Sequence, residues 1–146
     1  MRRQKNQGDL YMDHKELMKI AMKAREKAYA PYSGYRVGAA LLCEDGTVYT
    51  GCNIENAAYT PTNCAERTAF FKAVSEGQRH FVKIAVAGGR ETAAPCMPCG
   101  VCRQVMAEFC RPESFKIVHL DDSGEIGEML LKELLPKSFG PENLGS

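Results

Sequence analysis

A chain of 146 residues with 45% hydrophobic and 25% charged side chains has the composition of one globular domain, long enough to bury roughly two thirds of its unfolded surface. Lys and Arg number 19 against 18 Asp and Glu, for a formal charge of +1, which excludes the strong basic field used to hold nucleic acid polymers or anionic membranes. The opening MRRQKNQGDLYM lacks the apolar run of a secretion signal, and no later stretch approaches the ~18 apolar residues of a membrane span. A cytoplasmic protein is therefore expected, and its seven cysteines, odd in number, point to metal binding or catalysis rather than a disulfide framework.

Residues 1–12 read as a loose, flexible N-terminal tail and 13–146 as a single domain, with no repeat, low-complexity tract or linker. Asp13 and Glu16 have capping-box spacing, and Leu17, Ile20, Ala21, Ala24 and Ala28 recur at helical intervals, so a helix is expected from 14 to about 29. The segment APYSG ends it. Two β-rich runs follow, YRVGAALLC and TVYTGCNIE, with Asp45 and Gly46 making a hairpin turn between them. NCAERTAFFKAVSEG reads as a helix with Asn63 as N-cap and Gly77 as its stop.

KIAVAGG is a short apolar strand, a further helix is expected from 99 or 100 to about 110, and FKIVHL is another strand. Its link to IGEMLL is only DDSGE, too short for the dozen or so residues of a parallel crossover, so the last two strands form an antiparallel hairpin. Strands separated by whole helices should run parallel. The expected fold is α/β, a three-layer α/β/α sandwich around a mixed five-stranded sheet with helices on both faces.

The stretch APCMPCGVCRQ (residues 94–104) carries Cys96, Cys99 and Cys102 at three-residue intervals, and hence two overlapping CxxC pairs. A lone CxxC supplies two zinc ligands, whereas a structural site takes four and a catalytic site three with one position open. No second pair is present, so a structural zinc ribbon is disfavoured. Cys64 opens a predicted helix, where free backbone N–H groups favour a thiolate, and Pro98 makes Cys99 the natural start of another, one turn before Cys102. Cys43, Cys52 and Cys110 are expected to be small buried hydrophobes. Glu66 stands two residues after Cys64; from spacing alone it is equally a capping residue or a general acid–base group beside a catalytic metal.

CAERTAFFKAVSEG together with PCGVCRQVMAEF resembles the cytidine deaminases of the small, homotetrameric, three-cysteine class. The likeness continues through AYAPYSGYRVGAALL, GCNIENAAYT and ELLPKSFGPENL. The combination of a Cys-x-Glu and a later Pro-Cys-x-x-Cys is a known zinc-deaminase signature. The resemblance implies one Zn²⁺ per chain held by Cys64, Cys99 and Cys102, with Glu66 as the catalytic proton shuttle. It implies Asn53 and Glu55 on the sugar hydroxyls, Ala65 on the pyrimidine edge and Tyr35 against the base, where the family usually has Phe. Phe139 would reach a neighbouring subunit's pocket, and Arg67 would hydrogen-bond the metal-ligating thiolates. The implied reaction is hydrolytic deamination of cytidine and 2′-deoxycytidine to uridine and 2′-deoxyuridine with release of ammonia, in pyrimidine salvage. A related deaminase of a cytosine-containing nucleoside antibiotic and a non-catalytic zinc-binding interaction module are the alternatives.

Overall fold

In the computed structural model, which describes residues 12–145, Asp13 caps the first helix, α1 (His14–Arg25), accepting a hydrogen bond from the Lys15 backbone N–H at 2.7 Å. Leu17, Met18, Ala21 and Ala24 form its buried stripe. The helix stops at Arg25 rather than near residue 29. Lys27 and Ala28 donate to the carbonyls three residues back, tightening the last turn, and Tyr29 then turns its N–H to the Asn53 carbonyl at 3.0 Å, so a β-type bridge to Ile54 outcompetes further helix. Of the expected tail, residues 1–11 lie outside the described residues. Met12 does not: its carbonyl accepts a hydrogen bond from the Nζ of Lys83, which also contacts His14 Nδ1 at 2.8 Å. Burial of Lys83 lowers the pKa of its ammonium.

Strand β1 (Gly38–Cys43) and strand β2 (Val48–Cys52) form the expected hairpin, whose turn is fixed by the Asp45 carboxylate accepting from Thr47 N–H at 2.9 Å. β2 ends at Cys52, before the NIE segment, because Ile54 and Glu55 direct their N–H groups to Asn63 and Tyr29 instead of β1. Helix α2 (Ala65–Ser75) has Cys64 as N-cap, which corrects the assignment to Asn63. Asn63 exchanges backbone hydrogen bonds with Ile54, and its side-chain amide donates to Thr68 Oγ1 at 3.1 Å, so it belongs to the bridge rather than the helix. Gly77 follows the end of α2 as expected.

Strand β3 (Phe81–Ala87), helix α3 (Gly100–Phe109), strands β4 (Lys116–Leu120) and β5 (Ile126–Leu130), the short helix α4 (Leu131–Leu134) and a 3₁₀ turn (Pro141–Leu144) complete the chain. The sheet order is β2-β1-β3-β4-β5. β3 and β4 are parallel and β4 and β5 antiparallel, as expected. β2 and β3, also separated by a helix, point the same way but are not neighbours, since β1 lies between them antiparallel to both.

Alternation along the central strands sends side chains to two cores. Ala40, Leu42, Ala85, Ala87 and Val118 meet Leu17, Met18 and Ala21 of α1. On the opposite face Ala39, Leu41, Ile84, Val86 and Ile117 meet α2 and α3 through Ala65, Ala69, Phe70 and Met106. With both faces covered, all of β1 is buried, and the three-layer α/β/α arrangement follows. Cys43 and Cys110 are buried in the α2–α3 core, while Cys52 is half-buried. Gly51 brings α2 down onto the sheet edge: a Cβ there would stand 2.2 Å from the Ala65 carbonyl oxygen and 2.6 Å from the Ala69 nitrogen.

Candidate active site

The close seating of α2 on β2 sets Cys64 at the N-cap of α2, and the turn after Pro98 sets Cys99 at the N-cap of α3, with Cys102 one turn further along. The Sγ of Cys64 and Cys99 are 3.7 Å apart and those of Cys99 and Cys102 3.6 Å. All seven cysteines are free thiols. Thiolates placed tetrahedrally at ~2.3 Å from Zn²⁺ lie about 3.8 Å from one another, so the spacing and the soft sulfur donor set fit zinc. Among the described residues no other group of three or more Cys, His, Asp or Glu side chains is gathered in this way. Cys102 is buried, Cys64 half-buried and Cys99 exposed, which leaves one side of the cluster open.

The scaffold behind the thiols was not visible in the sequence. Arg103 donates from Nε to the Pro98 carbonyl at 2.7 Å and from Nη1 to the Leu134 carbonyl at 2.8 Å, fastening the turn that presents Cys99 and Cys102 to the end of α4. Its nearness to the motif was a weak signal that spacing could not turn into a partner.

Arg67 donates from Nη2 to Cys64 Sγ at 3.2 Å. The pKa of Cys64 is lowered to about 5: a hydrogen bond from Cys102 holds it low against the opposing effect of burial, and Arg67 and Cys99 add to the shift. The same interaction raises Cys102, as does burial. Glu66 is the second residue of α2 and only 3% exposed. With Cys64 as N-cap, Glu66 is one position too early for a capping box. Burial pushes its carboxyl pKa up, a backbone hydrogen bond opposes this, and the charge of Cys64 raises it again.

The remaining expected residues are placed as follows. The Asn53 amide accepts from Val37 N–H and donates to the Tyr35 carbonyl, each at 2.8 Å. The Glu55 carboxylate accepts from the backbone of Tyr32 and Ser33 at 2.9 and 3.1 Å and from Ser33 Oγ at 2.5 Å; the Ser33 hydroxyl chiefly holds its pKa low. Both side chains therefore staple the segment that carries Tyr35. Ala65 is buried in the first turn of α2, and Tyr35 is half-buried. The Phe139 ring is 58% exposed on this chain, and its carbonyl accepts from Gln104 Nε2 at 2.9 Å. Cys96 is half-buried beside the cluster but outside it.

Fold and site together define a metal-binding α/β/α domain with a buried carboxyl beside three thiols. Residues 12–118 match the family model of the cytidine and deoxycytidylate deaminase zinc-binding region. A cytidine deaminase of Sporosarcina psychrophila is 55% identical over 91% of this chain and 96% of its own. One from Halalkalibacterium halodurans is 54% identical over 91% and 98%. The crystal structure of cytidine deaminase from Burkholderia pseudomallei superposes with a TM-score of 0.80 at 49% identity, covering 88% of this chain and all of that one. The chain belongs to the cytidine and deoxycytidylate deaminase family, and zinc is accordingly its metal. No helix among the described residues is long and apolar enough to cross a membrane.

Proposed function

We propose that the protein catalyses the hydrolytic deamination of cytidine and 2′-deoxycytidine, consuming water and releasing uridine or 2′-deoxyuridine and ammonia. The observation that carries this reading is Glu66, 3% exposed, next to three thiols at the spacing of a tetrahedral zinc site. Cys64, Cys99 and Cys102 would hold Zn²⁺, which when bound would supply a water whose pKa is lowered towards roughly 7. Glu66 takes a proton from the attacking water on a carboxyl oxygen and delivers it to N3 of the pyrimidine; it then takes the proton of the new C4 hydroxyl and delivers it to the departing amine, so that the C4–N bond breaks and ammonia leaves. Burial raises its pKa, the direction that favours a carboxyl able to hold a proton between the two transfers. Arg67 offsets the negative charge of the thiolates through its hydrogen bond to Cys64.

Ala65 and Glu66 would read the edge of the base and Tyr35 its face. Asn53 and Glu55, already fixed by the 32–37 segment, keep lone pairs free for sugar hydroxyls. The exposed Phe139 supports a homotetramer in which it completes a neighbouring pocket. A role in pyrimidine salvage in the cytoplasm accords with this activity. The test is zinc per chain, measured with the ultraviolet change on mixing with cytidine and, separately, with blasticidin S. About one zinc and rapid loss of the cytidine spectrum are expected. Zinc without deamination, or preference for the antibiotic, overturns the proposal.

A further inference from the structure

Cys96 belongs to the cysteine-rich stretch yet has no part in the metal cluster, and Gly88 sits just beyond β3 with no evident task. The two meet at one point. A Cβ on Gly88 would lie 2.6 Å from the Tyr35 hydroxyl oxygen, 2.7 Å from Cys96 Cβ and 3.0 Å from Tyr35 Cε1. Gly88 is held in place by exchanging backbone hydrogen bonds with Ala94, at 3.1 and 2.6 Å. The tip of the Tyr35 ring thus rests directly over a bare glycine backbone, with Cys96 as the side of the recess and the Pro95 carbonyl 3.4 Å from the hydroxyl. Burial raises the pKa of this hydroxyl, and Cys96 raises it further.

The other end of Tyr35 is equally constrained. Its N–H donates to Ser33 Oγ at 3.0 Å, and its carbonyl accepts from Asn53 at 2.8 Å. Tyr35 is thus held at its backbone and contacted at its hydroxyl. The recess adjoins the metal site, since Cys96 and Cys64 both pack against the core cluster that contains Cys102. Burial, the largest influence, pushes the Cys96 thiol up to about 11, so it is a neutral packing group and not a nucleophile.

We infer that Gly88 and Cys96 are positioning residues: they form the seat that receives the Tyr35 hydroxyl and so fix where the ring stands against the pyrimidine. The inference rests on the proposed deamination of cytidine. Neither residue needs to touch substrate; both act through Tyr35 as positioning residues. A methyl group on Gly88 would be about 0.8 Å too close to the hydroxyl for ordinary contact. The ring must then leave its seat, moving away from the Gly88 backbone. Displacements of about 1 Å in a substrate-positioning group cost up to ~10²-fold in rate or affinity.

The experiment compares wild type, G88A, Y35F and Y35F/G88A for cytidine KM and kcat, zinc content and thermal midpoint. G88A should raise KM about tenfold while kcat stays within about threefold and zinc is retained. Removing the hydroxyl relieves the shortest contact of the new methyl, at 2.6 Å, while those to Cys96 Cβ at 2.7 Å and Tyr35 Cε1 at 3.0 Å stay, so Y35F/G88A should recover part of that KM loss, about threefold, a coupling that general destabilisation does not produce. C96V, which thickens the side of the recess, should show the same rescue by Y35F and serves where G88A does not fold. Independent, additive KM effects in an active wild-type background overturn the assignment of the seat. Absence of cytidine turnover by wild type overturns the functional reading itself, and with it this assignment; the two failures are distinct.

Discussion

Replacing Glu66 by Gln keeps the size of a side chain that is 3% exposed and removes its ability to take or give a proton. General acid–base transfer contributes typically ~10²–10⁴-fold, and Glu66 is assigned both the delivery to N3 and the protonation of the amine. The expected loss in kcat is therefore about 10⁴-fold or more, roughly 5 kcal/mol of barrier. Stability should change little: burial disfavours the carboxylate, and the amide is spared that desolvation cost. Because Glu66 is not among the three clustered thiols, zinc per chain should be unchanged. Turnover is read from the cytidine-to-uridine absorbance change, zinc by elemental analysis, and folding by thermal melting. Activity within tenfold of wild type in a zinc-loaded variant would refute the shuttle role. Loss of zinc in step with activity would instead place Glu66 among the groups that hold the metal.

Cys64→Ala should lower zinc well below one per chain, whereas Cys96→Ala should not; metal analysis giving the reverse would mean that the other CxxC pair is the metal-binding one. Glu128 accepts from His14 Nε2 at 2.7 Å and from Lys116 Nζ at 3.3 Å, and the His14 hydrogen bond is the chief reason its pKa is lowered. A depressed carboxylate contributes stability above its unfolded value, near ~4.3, that is lost as pH falls through the folded one. With its side chain 46% exposed, solvent screening limits the contribution to about 0.5 kcal/mol, so urea midpoints of wild type and Glu128→Gln should differ at pH ~7 and converge below pH ~4. A gap that widens in acid would refute the assignment. Gly51→Ala forces a methyl to within 2.2 Å of the Ala65 carbonyl; a loss of about 3 kcal/mol is expected, with weaker zinc retention because Ala65 adjoins Cys64, and an unchanged thermal midpoint would contradict the close seating of α2.

The layers and the order of elements were legible because the signals are local: apolar spacing in α1, the Asp45–Gly46 turn, and a DDSGE link too short for a crossover. The misplacements share one cause. Helix α1 and strand β2 both end early, and Asn63 is not a cap, because residues 29, 54 and 63 form a small set of bridges that joins segments far apart in sequence. Spacing could bring three cysteines to helix starts, but could not show Arg103 fastening Pro98. Nor could period-two reasoning show that Asn53 and Glu55 lie beyond β2 and staple residues 32–37; the sequence carries no local mark of a side chain bonding to distant backbone.

The same bridges explain how the site carries its charge. Ser, Thr, Asp or Asn at an N-cap ordinarily stabilises a helix by about 1 kcal/mol through a side-chain hydrogen bond. Here two helices begin with cysteines that make no such bond. Asn63, the capping-type side chain directly before Cys64, is drawn away to Thr68, leaving the first turn of α2 turned toward sulfur. The stabilisation given up at both helix starts is offset when the thiols ionise, since free N–H groups and the helix dipole favour negative charge there. Arg67 adds a full positive charge at 3.2 Å from Cys64. Three thiolates can then surround a divalent cation without making it too electron-rich to ionise a water, and the uncapped helix starts become part of the chemistry.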